Sequence, residues 1–455
     1  MQTEQNERSK MLGTMPMGKL VPKISIPIMI SMLVQALYNV VDSIFVARYD
    51  ANALAAVSLG YPVQMLMVAV SVGLATGINS LMSRRLGEKD PAAARRAAWT
   101  GLIMECAGYL IFLVVGLFFV TPIFHALTDD PLLQELGIDY LSVACTWSFG
   151  IFIAVTMERM LQATGNSSLS MVTQLAGAIT NIVLDPIMIF GLLGCPKMGI
   201  TGAAVATVIG QHVSMIAGLI LNQKKNAELK LMVKDCRPDK RTVGGILSVG
   251  LPSVVMQSVS SVMNLLFNMI LLPFGATAVS VLGVYFKLQS FVFMPVFGLS
   301  NGMVPIVGYN YGARLKTRVY NAISVCLKIA IGIMLVGMLA FLIFPQALMS
   351  LFESGDASEL TELGVRALRV ISSHFLLAAV GIILSTVFQA VGKGTYSLII
   401  SLCRQLIVLI PVAWALASLG GLEAVWWAFP IAELVSLVLC LLFYRKCDRE
   451  MLSRL

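Results

Sequence analysis

Asp42 lies in an apolar stretch, 24–47, long enough to cross a bilayer as a helix. A carboxylate at that depth costs at least ~2.5–3.5 kcal/mol and marks an ion or substrate path. Gln35, Tyr38, Asn39 and Asp42 are spaced three, one and three, so they form one polar stripe on a helix. A second acidic site follows in TNIVLDPIMIF, where Asn181 and Asp185 are four apart and share a face that Gln174 and Ala178 extend. Pro186 cannot donate its backbone bond, so a carboxamide, a carboxylate and a freed carbonyl offer oxygens to a small hard cation. Thr207 and Gln211, also four apart, line the next apolar run. A lone Thr or Asn in a span is more often interhelical glue, worth ~0.6 kcal/mol, but two carboxylates in one half of the chain point to a wet cavity.

The second half repeats the polar stripe without the acid. Gln257, Ser261, Asn264 and Asn268 share a face, and Phe267 stands where the repeat register would put a partner for Asp42. Lys287, Arg404 and Glu433 are its intramembrane charges, and Glu433 is one candidate partner for Lys287. Ion coupling is therefore assigned to the first half, through Asp42, Asn181, Asp185 and Thr207. Gln35, Tyr38, Asn39, Gln257, Asn264, Asn268 and Lys287 are assigned to a substrate cavity. Pro27 is expected to bend the first helix, because proline removes a backbone donor. Glu158 and Arg159, near one end of their span, read as local structure.

These residues need a scaffold, and the composition names its class. Of 455 residues, 58% are hydrophobic and 12% charged, with a mean hydropathy of +0.85. Ordinary globular chains are about 25% charged. The apolar runs are too long for barrel strands, so the fold class is an all-α polytopic membrane protein. About twelve transmembrane helices are expected, near 24–48, 53–82, 96–121, 134–163, 168–193, 200–222, 246–273, 278–307, 318–345, 362–390, 396–419 and 423–445. The polar start, through Lys23, lacks a signal-peptide pattern, so the first run is expected to remain as a span.

The formal charge of +8 is explained by loop asymmetry rather than by nucleic acid, and no nucleic-acid partner is expected. Lys19, Lys23, Arg84, Arg85, Arg95, Arg96, the basic run from Lys224 through Lys234 to Arg241, and Arg314, Lys316 and Arg318 fall on one side. The opposite loops carry Asp129, Asp130, Glu135, Glu353, Asp356, Glu359 and Glu362. The positive-inside rule then puts both termini in the cytoplasm, in a multi-pass protein of the cell membrane.

The polar stretch 223–242 separates an N-terminal lobe, 1–222, from a C-terminal lobe, 243–455, each of about six spans. Shifting the second half back by about 225 residues aligns Pro27 with Pro252, Asn39 with Asn264 and Gln64 with Gln289. It also aligns Gly73, Gly77 and Gly87 with Gly298, Gly302 and Gly312. Both repeats start on the same side, giving two pseudo-symmetric lobes about an axis normal to the membrane. A monomer is expected.

Little else carries chemistry. The eight cysteines are scattered without a CxxC pair, and no HExxH, Walker loop or catalytic triad is present. No catalytic residue, metal centre or cofactor is expected, and the chain reads as a transporter rather than an enzyme. The 26 methionines suit a surface that adapts to varied apolar ligands, though most are ordinary core or lipid-facing residues.

The stretches LVQALYNVVDSIFVARYDANALAAVSLGYP, SRRLGEKDPAAARRAA, LQATGNSSLSM, NIVLDPIMIFGLLG, GITGAAVATVIG and GLPSVVMQSVSSVMNLLFN together resemble the multidrug and toxic compound extrusion (MATE) transporters of the MOP superfamily. The resemblance runs from about Pro27 to Tyr444 and is nearest to the DinF- and MepA-like branch. It implies twelve helices in two six-helix lobes set in a V, exporting drugs, often lipophilic cations, against a gradient of H⁺ or Na⁺. In that branch the first-span aspartate corresponds to Asp42, the span-five polar group to Asn181 and Asp185, the span-six threonine to Thr207, and the bending proline to Pro27. Another branch carries a span-seven glutamate for cation binding. Here that region offers only Ser260 and its neighbours, which argues against a second-lobe cation site. A lipid-linked oligosaccharide flippase of the same superfamily is the nearest alternative. It calls for a strongly basic cavity, whereas this chain offers Lys287 and Arg404 against two carboxylates.

Overall fold

The computed structural model describes residues 8–232, 235–352 and 358–455. Lys234, Glu353 and Asp356, and the side chains of Asn39 and Glu359, lie outside the described residues.

A short α1 (Arg8–Thr14) leads into α2 (Met17–Tyr49) and α3 (Ala51–Gly87). The third span joins α4 (Pro91–Val114) to α5 (Val120–Leu127) through a π-helical turn, Val115–Phe119. Then come α6 (Pro131–Thr146), α7 (Phe149–Ala163), α8 (Ser167–Phe190) and α9 (Gly199–Lys225). The second half repeats the order: α10 (Lys240–Leu271), α11 (Ala276–Gly312), α12 (Lys316–Ile343), α13 (Pro345–Ser350), α14 (Ser358–Ser372) and α15 (Phe375–Ala390). It closes with α16 (Gly394–Leu402), a π-helical turn Cys403–Val408, α17 (Leu409–Val425) and α18 (Ala428–Cys447). Among the described residues, ten helical spans are long and apolar enough to cross a membrane, and two bent pairs bring the number to twelve.

Helix starts follow local chemistry. Asp50, Asp90, Asp130 and Asp239 each accept a hydrogen bond from a backbone N–H of the helix they precede, satisfying donors that have no partner within it. Outside, the bundle shows Leu110, Ile111, Leu117, Phe118, Leu434, Val438 and Leu442 to its surroundings, as a lipid-facing surface should.

Spans four and ten differ from the continuous helices the sequence suggests. Each is broken, by 45° between α6 and α7 and by 49° between α14 and α15. At the first break the Ser148 hydroxyl donates to the Cys145 carbonyl at 2.7 Å. At the second, Ser373 and His374 bond the carbonyls of Val370 and Ile371. Polar side chains thus take up backbone groups that the helix gives up at the bend.

The two halves meet along a seam that obeys the repeat. A Cβ on Gly77 of α3 would stand 2.8 Å from the Gly250 backbone nitrogen of α10, and one on Gly302 of α11 would stand 2.5 Å from Ser25 Oγ of α2. Gly73 likewise meets Val254, as Gly298 meets Met29. At the basic end a Cβ on Gly87 would lie 2.0 Å from the Tyr309 carbonyl oxygen, and one on Gly312 would lie 2.1 Å from that of Arg84. Each pair is the other moved by 225 positions, the relation expected of a two-fold interface. Only glycine lets these backbones approach so closely. These contacts lie in the half of the bundle nearer the basic loops.

The basic end is further tied by loops. The Leu12 carbonyl accepts from Asn310 Nδ2 at 2.9 Å and Arg318 Nη2 at 3.0 Å, and Ser9 Oγ donates to Glu228 at 2.7 Å. The stretch between α9 and α10 is held to α4 by an Arg95–Asp235 ion pair at 2.6 Å and a bond from Trp99 to the Met232 carbonyl.

Candidate ion-coupling site

The acidic residues of the first half converge. Asp42 of α2 and Asp185 of α8 bring their carboxyl groups into hydrogen-bonding reach of each other. Two like charges at that distance cannot both stay ionised without a proton or cation between them. Asn181, one turn before Asp185, donates through Nδ2 to Asp185 Oδ1 at 3.1 Å and to Thr207 Oγ1 of α9 at 3.2 Å. Asn181 is 2% exposed and Asp185 0%. The four sequence-chosen residues therefore form one cluster where α2, α8 and α9 pack together.

Asp42 Oδ1, Asn181 Oδ1 and Asp185 Oδ2 are buried without a hydrogen-bond donor. Burying three unpaired acceptors is costly, and a bound proton or a small cation would satisfy them. Among the described residues there is no group of three or more His, Cys, Asp or Glu that could hold a metal ion. The donor set is two carboxylates, an amide and a hydroxyl, which suits a proton or a hard monovalent cation rather than a soft metal. Helix α8 continues through Pro186, which leaves the Ile182 carbonyl without its usual donor.

Two residues that the sequence reading did not assign complete the surroundings. Tyr140 of α6, 4% exposed, lies beside Asp42, Tyr38 and Asp185, and its hydroxyl accepts from Gln64 of α3 at 3.4 Å. Gln64 had a visible signal, since it recurs as Gln289 in the repeat. Tyr140 had none.

Of the residues assigned to the cavity, Tyr38 is half-buried beside both aspartates, and Gln35 is exposed. Gln257 is exposed on α10, with Asn264 and Asn268 half-buried farther along it. Helix α2 runs unbroken through Pro22 and Pro27, and Ser31 Oγ donates to the Pro27 carbonyl at 3.0 Å. Phe267 is buried against Phe429, with ring centroids 4.9 Å apart, so the position equivalent to Asp42 is apolar core.

The suggested Lys287–Glu433 pair is corrected. Glu433 is engaged by Arg404 at 3.5 Å, while Lys287 is exposed with Nζ 5.9 Å from the Phe352 ring centre. Arg404 sits in the π-helical turn, which rotates it toward α18. Ser260 donates to Gln405 of the same turn at 2.9 Å. An apolar groove of about 580 Å³ lies between α10 and α17, lined by Leu266, Met269, Pro411 and Trp414, apart from the acidic cluster.

Comparison with known proteins gives three likenesses. The MatE family model matches residues 27–187 and 252–415, two stretches whose starts are 225 apart, the repeat interval. The chain is 28% identical to the multidrug export protein MepA of Staphylococcus haemolyticus, over 90% of this chain and 89% of that one. It superposes on an outward-facing multidrug-resistance MATE transporter of the MOP superfamily with a TM-score of 0.92, at 27% identity and 99% coverage of both chains. A MOP-superfamily transporter from Pyrococcus furiosus, described as having reversed binding-pocket polarity that suggests a different function, matches with a TM-score of 0.91 at 27% identity over 97% of each chain.

Proposed function

Because the chain belongs to the MatE family of multidrug efflux transporters, handling small molecules as a multi-pass membrane protein, we propose that it exchanges H⁺ or Na⁺ for lipophilic, often cationic, drugs. The observation that carries this reading is the contact between Asp42 and Asp185, with Asn181 and Thr207 beside it and three buried oxygens unpartnered. The pair sits in the lobe proposed as 1–222, joined through 223–242 to the lobe 243–455.

The positive-inside rule supports a cytoplasmic-membrane protein with both termini, and the glycine seam, on the cytoplasmic side. The acidic pair attracts a cationic drug, and the polar side chains Gln35, Tyr38 and Asn39 orient it. Gln257, Asn264, Asn268 and Lys287 face it from the other lobe. Adding a proton or Na⁺ to the pair removes the attraction, so drug leaves as ion enters. Such competition is reciprocal, each ligand lowering the affinity for the other by the same factor. Pro27 supplies the weak point at which α2 bends, since the Lys23 carbonyl lacks its helical donor. Of the two ions we favour H⁺, because two touching carboxyl groups already form a site for one proton.

The test is ethidium export from proteoliposomes under one gradient at a time. A proton gradient without Na⁺ is expected to drive it. Export driven by Na⁺ alone, at equal pH on both sides, would assign Na⁺ instead. Export under neither gradient would end the antiport reading.

A further inference from the structure

Two buried acids of the first half, Glu105 of α4 and Glu158 of α7, take no part in that exchange. Glu158 of α7 is 7% exposed. It is not paired with Arg159, which donates instead to Gln162 Oε1 at 2.7 Å. Its carboxylate accepts from Gln174 Nε2 of α8 at 2.6 Å and from Ser214 Oγ of α9 at 3.4 Å. Those two partners extend the faces that carry the Asp42–Asp185 site. On α8 the residues run Asp185, Asn181, Gln174; on α9 they run Thr207, Gln211, Ser214. From Asp185 to Gln174 is three turns, about 16 Å along the helix.

Between the two acids stand buried acceptors without donors: Asn181 Oδ1, Gln211 Oε1 and Gln174 Oε1. In the same interval the backbones of α8 and α9 come into contact. A Cβ on Gly177 would lie 2.8 Å from the Gly210 carbonyl oxygen, and one on Gly210 would lie 2.7 Å from that of Gly177. A polar track thus joins two acidic stations, and a glycine contact narrows it. Among the described residues, the other charged or titratable groups around α7 are Arg159 beside Glu158, Glu105 of α4 against Thr156, Tyr109 of α4 against Phe149 and Phe152, and His212 of α9 against Gly150.

We propose that Glu158 is a second proton-binding site of the first lobe, exchanging protons with the Asp42–Asp185 pair along the α8–α9 track and releasing them toward the basic face. This rests on the antiport reading above. The step moves one proton and no electrons: a carboxyl of the pair loses it and the Glu158 carboxylate gains it. The hydroxyls of Thr207 and Ser214 can each accept and pass a proton. The unpartnered amide oxygens of Gln211 and Gln174 can hold the water that links them, since a buried water needs two to four polar partners. The Gly177–Gly210 contact keeps the track from conducting continuously, which an antiporter requires to avoid a proton leak.

The experiment compares wild type with Glu158→Gln, Glu158→Asp, Gln211→Leu and Asp42→Asn in proteoliposomes, using ethidium as the exported cation under an imposed proton gradient. Ethidium binding to the purified proteins and the infrared signature of protonated carboxyl groups during a pH titration are read alongside. Glu158→Gln should bind ethidium within about twofold of wild type, lose one carboxyl band from the titration, and export on the order of a hundredfold more slowly, the lower end of what a positioned proton-transfer group contributes. Glu158→Asp should recover much of the rate. Gln211→Leu keeps every carboxylate and should still slow export, so the proposal stays testable if Glu158→Gln folds poorly. Wild-type export by Glu158→Gln or by Gln211→Leu, with Asp42→Asn inactive, would overturn this proposal and leave the antiport reading intact. Wild-type export by Asp42→Asn would overturn the antiport reading itself.

Discussion

Asp42 and Asp185, carried by helices far apart in the chain, bring their carboxyl groups into hydrogen-bonding reach at the meeting of α2, α8 and α9. One of the two must share a proton or a cation for that contact to persist. Drug affinity should therefore depend on pH. Ethidium binding, followed by fluorescence polarisation, should weaken as the pH falls and the pair takes up its proton. Asp42→Asn should flatten the dependence. An affinity that stays constant across the titration in wild type would mean that coupling does not act by direct competition.

Asn181 is the joint of the cluster, because one amide nitrogen serves both Asp185 and Thr207. Asn181→Ala should tighten proton binding at the pair by roughly tenfold to a hundredfold, since the lost amide bond stabilises the ionised Asp185 and a hydrogen bond to a charged group contributes about 1.5–3 kcal/mol. The measurement is the gradient needed for half-maximal ethidium export. An unchanged gradient requirement would show that Asp185 does not depend on the amide.

The glycine seam predicts a conformational effect. A valine at Gly77 would force its Cβ against the Ile246 carbonyl, so Gly77→Val should part the lobes at the basic end. Labelling of Met29→Cys by a water-soluble maleimide should rise in that background. The two-fold relation requires Gly302→Val to behave alike, read at Val254→Cys. No gain in labelling in either background would mean that the seam opens by another route.

Outside the membrane, burial pushes the Glu228 carboxyl above the usual carboxylate range, with the Ser9 bond opposing it. A folded value above the unfolded one means the contribution is complete at acid pH and is lost as the pH rises through the folded value. The thermal midpoint of detergent-solubilised protein should fall across that weakly acidic window, and Glu228→Gln should fall less. An equal slope in both proteins would remove Glu228 from the account.

Much of this was legible because a bilayer leaves few choices. Apolar runs of about twenty residues must be helices, so the spans could be read from those runs, and the repeat from the recurrence of Pro27, Asn39, Gln64 and the glycines. The same four polar residues, Asp42, Asn181, Asp185 and Thr207, stood out because intramembrane polarity is expensive. What stayed hidden depended on contacts between distant residues or on local departures from the regular helix. The bends at Ser148 and His374 carry no proline, and side-chain capture of carbonyls signals them only in three dimensions. The π-helical turn Cys403–Val408 carries Arg404 to Glu433, the residue that had been one candidate partner for Lys287. Tyr140 joins the acidic site only through tertiary packing.

The central claim, that the Asp42–Asp185 pair holds the coupling ion, is tested most directly by ethidium export from proteoliposomes under an imposed proton or Na⁺ gradient. Wild type would be compared with Asp42→Asn and Asp185→Asn, at matched amounts of folded protein in the membrane. The account predicts export by wild type and none above the gradient-free rate by either variant. Export at the wild-type rate by either one, under the same gradient, would contradict it.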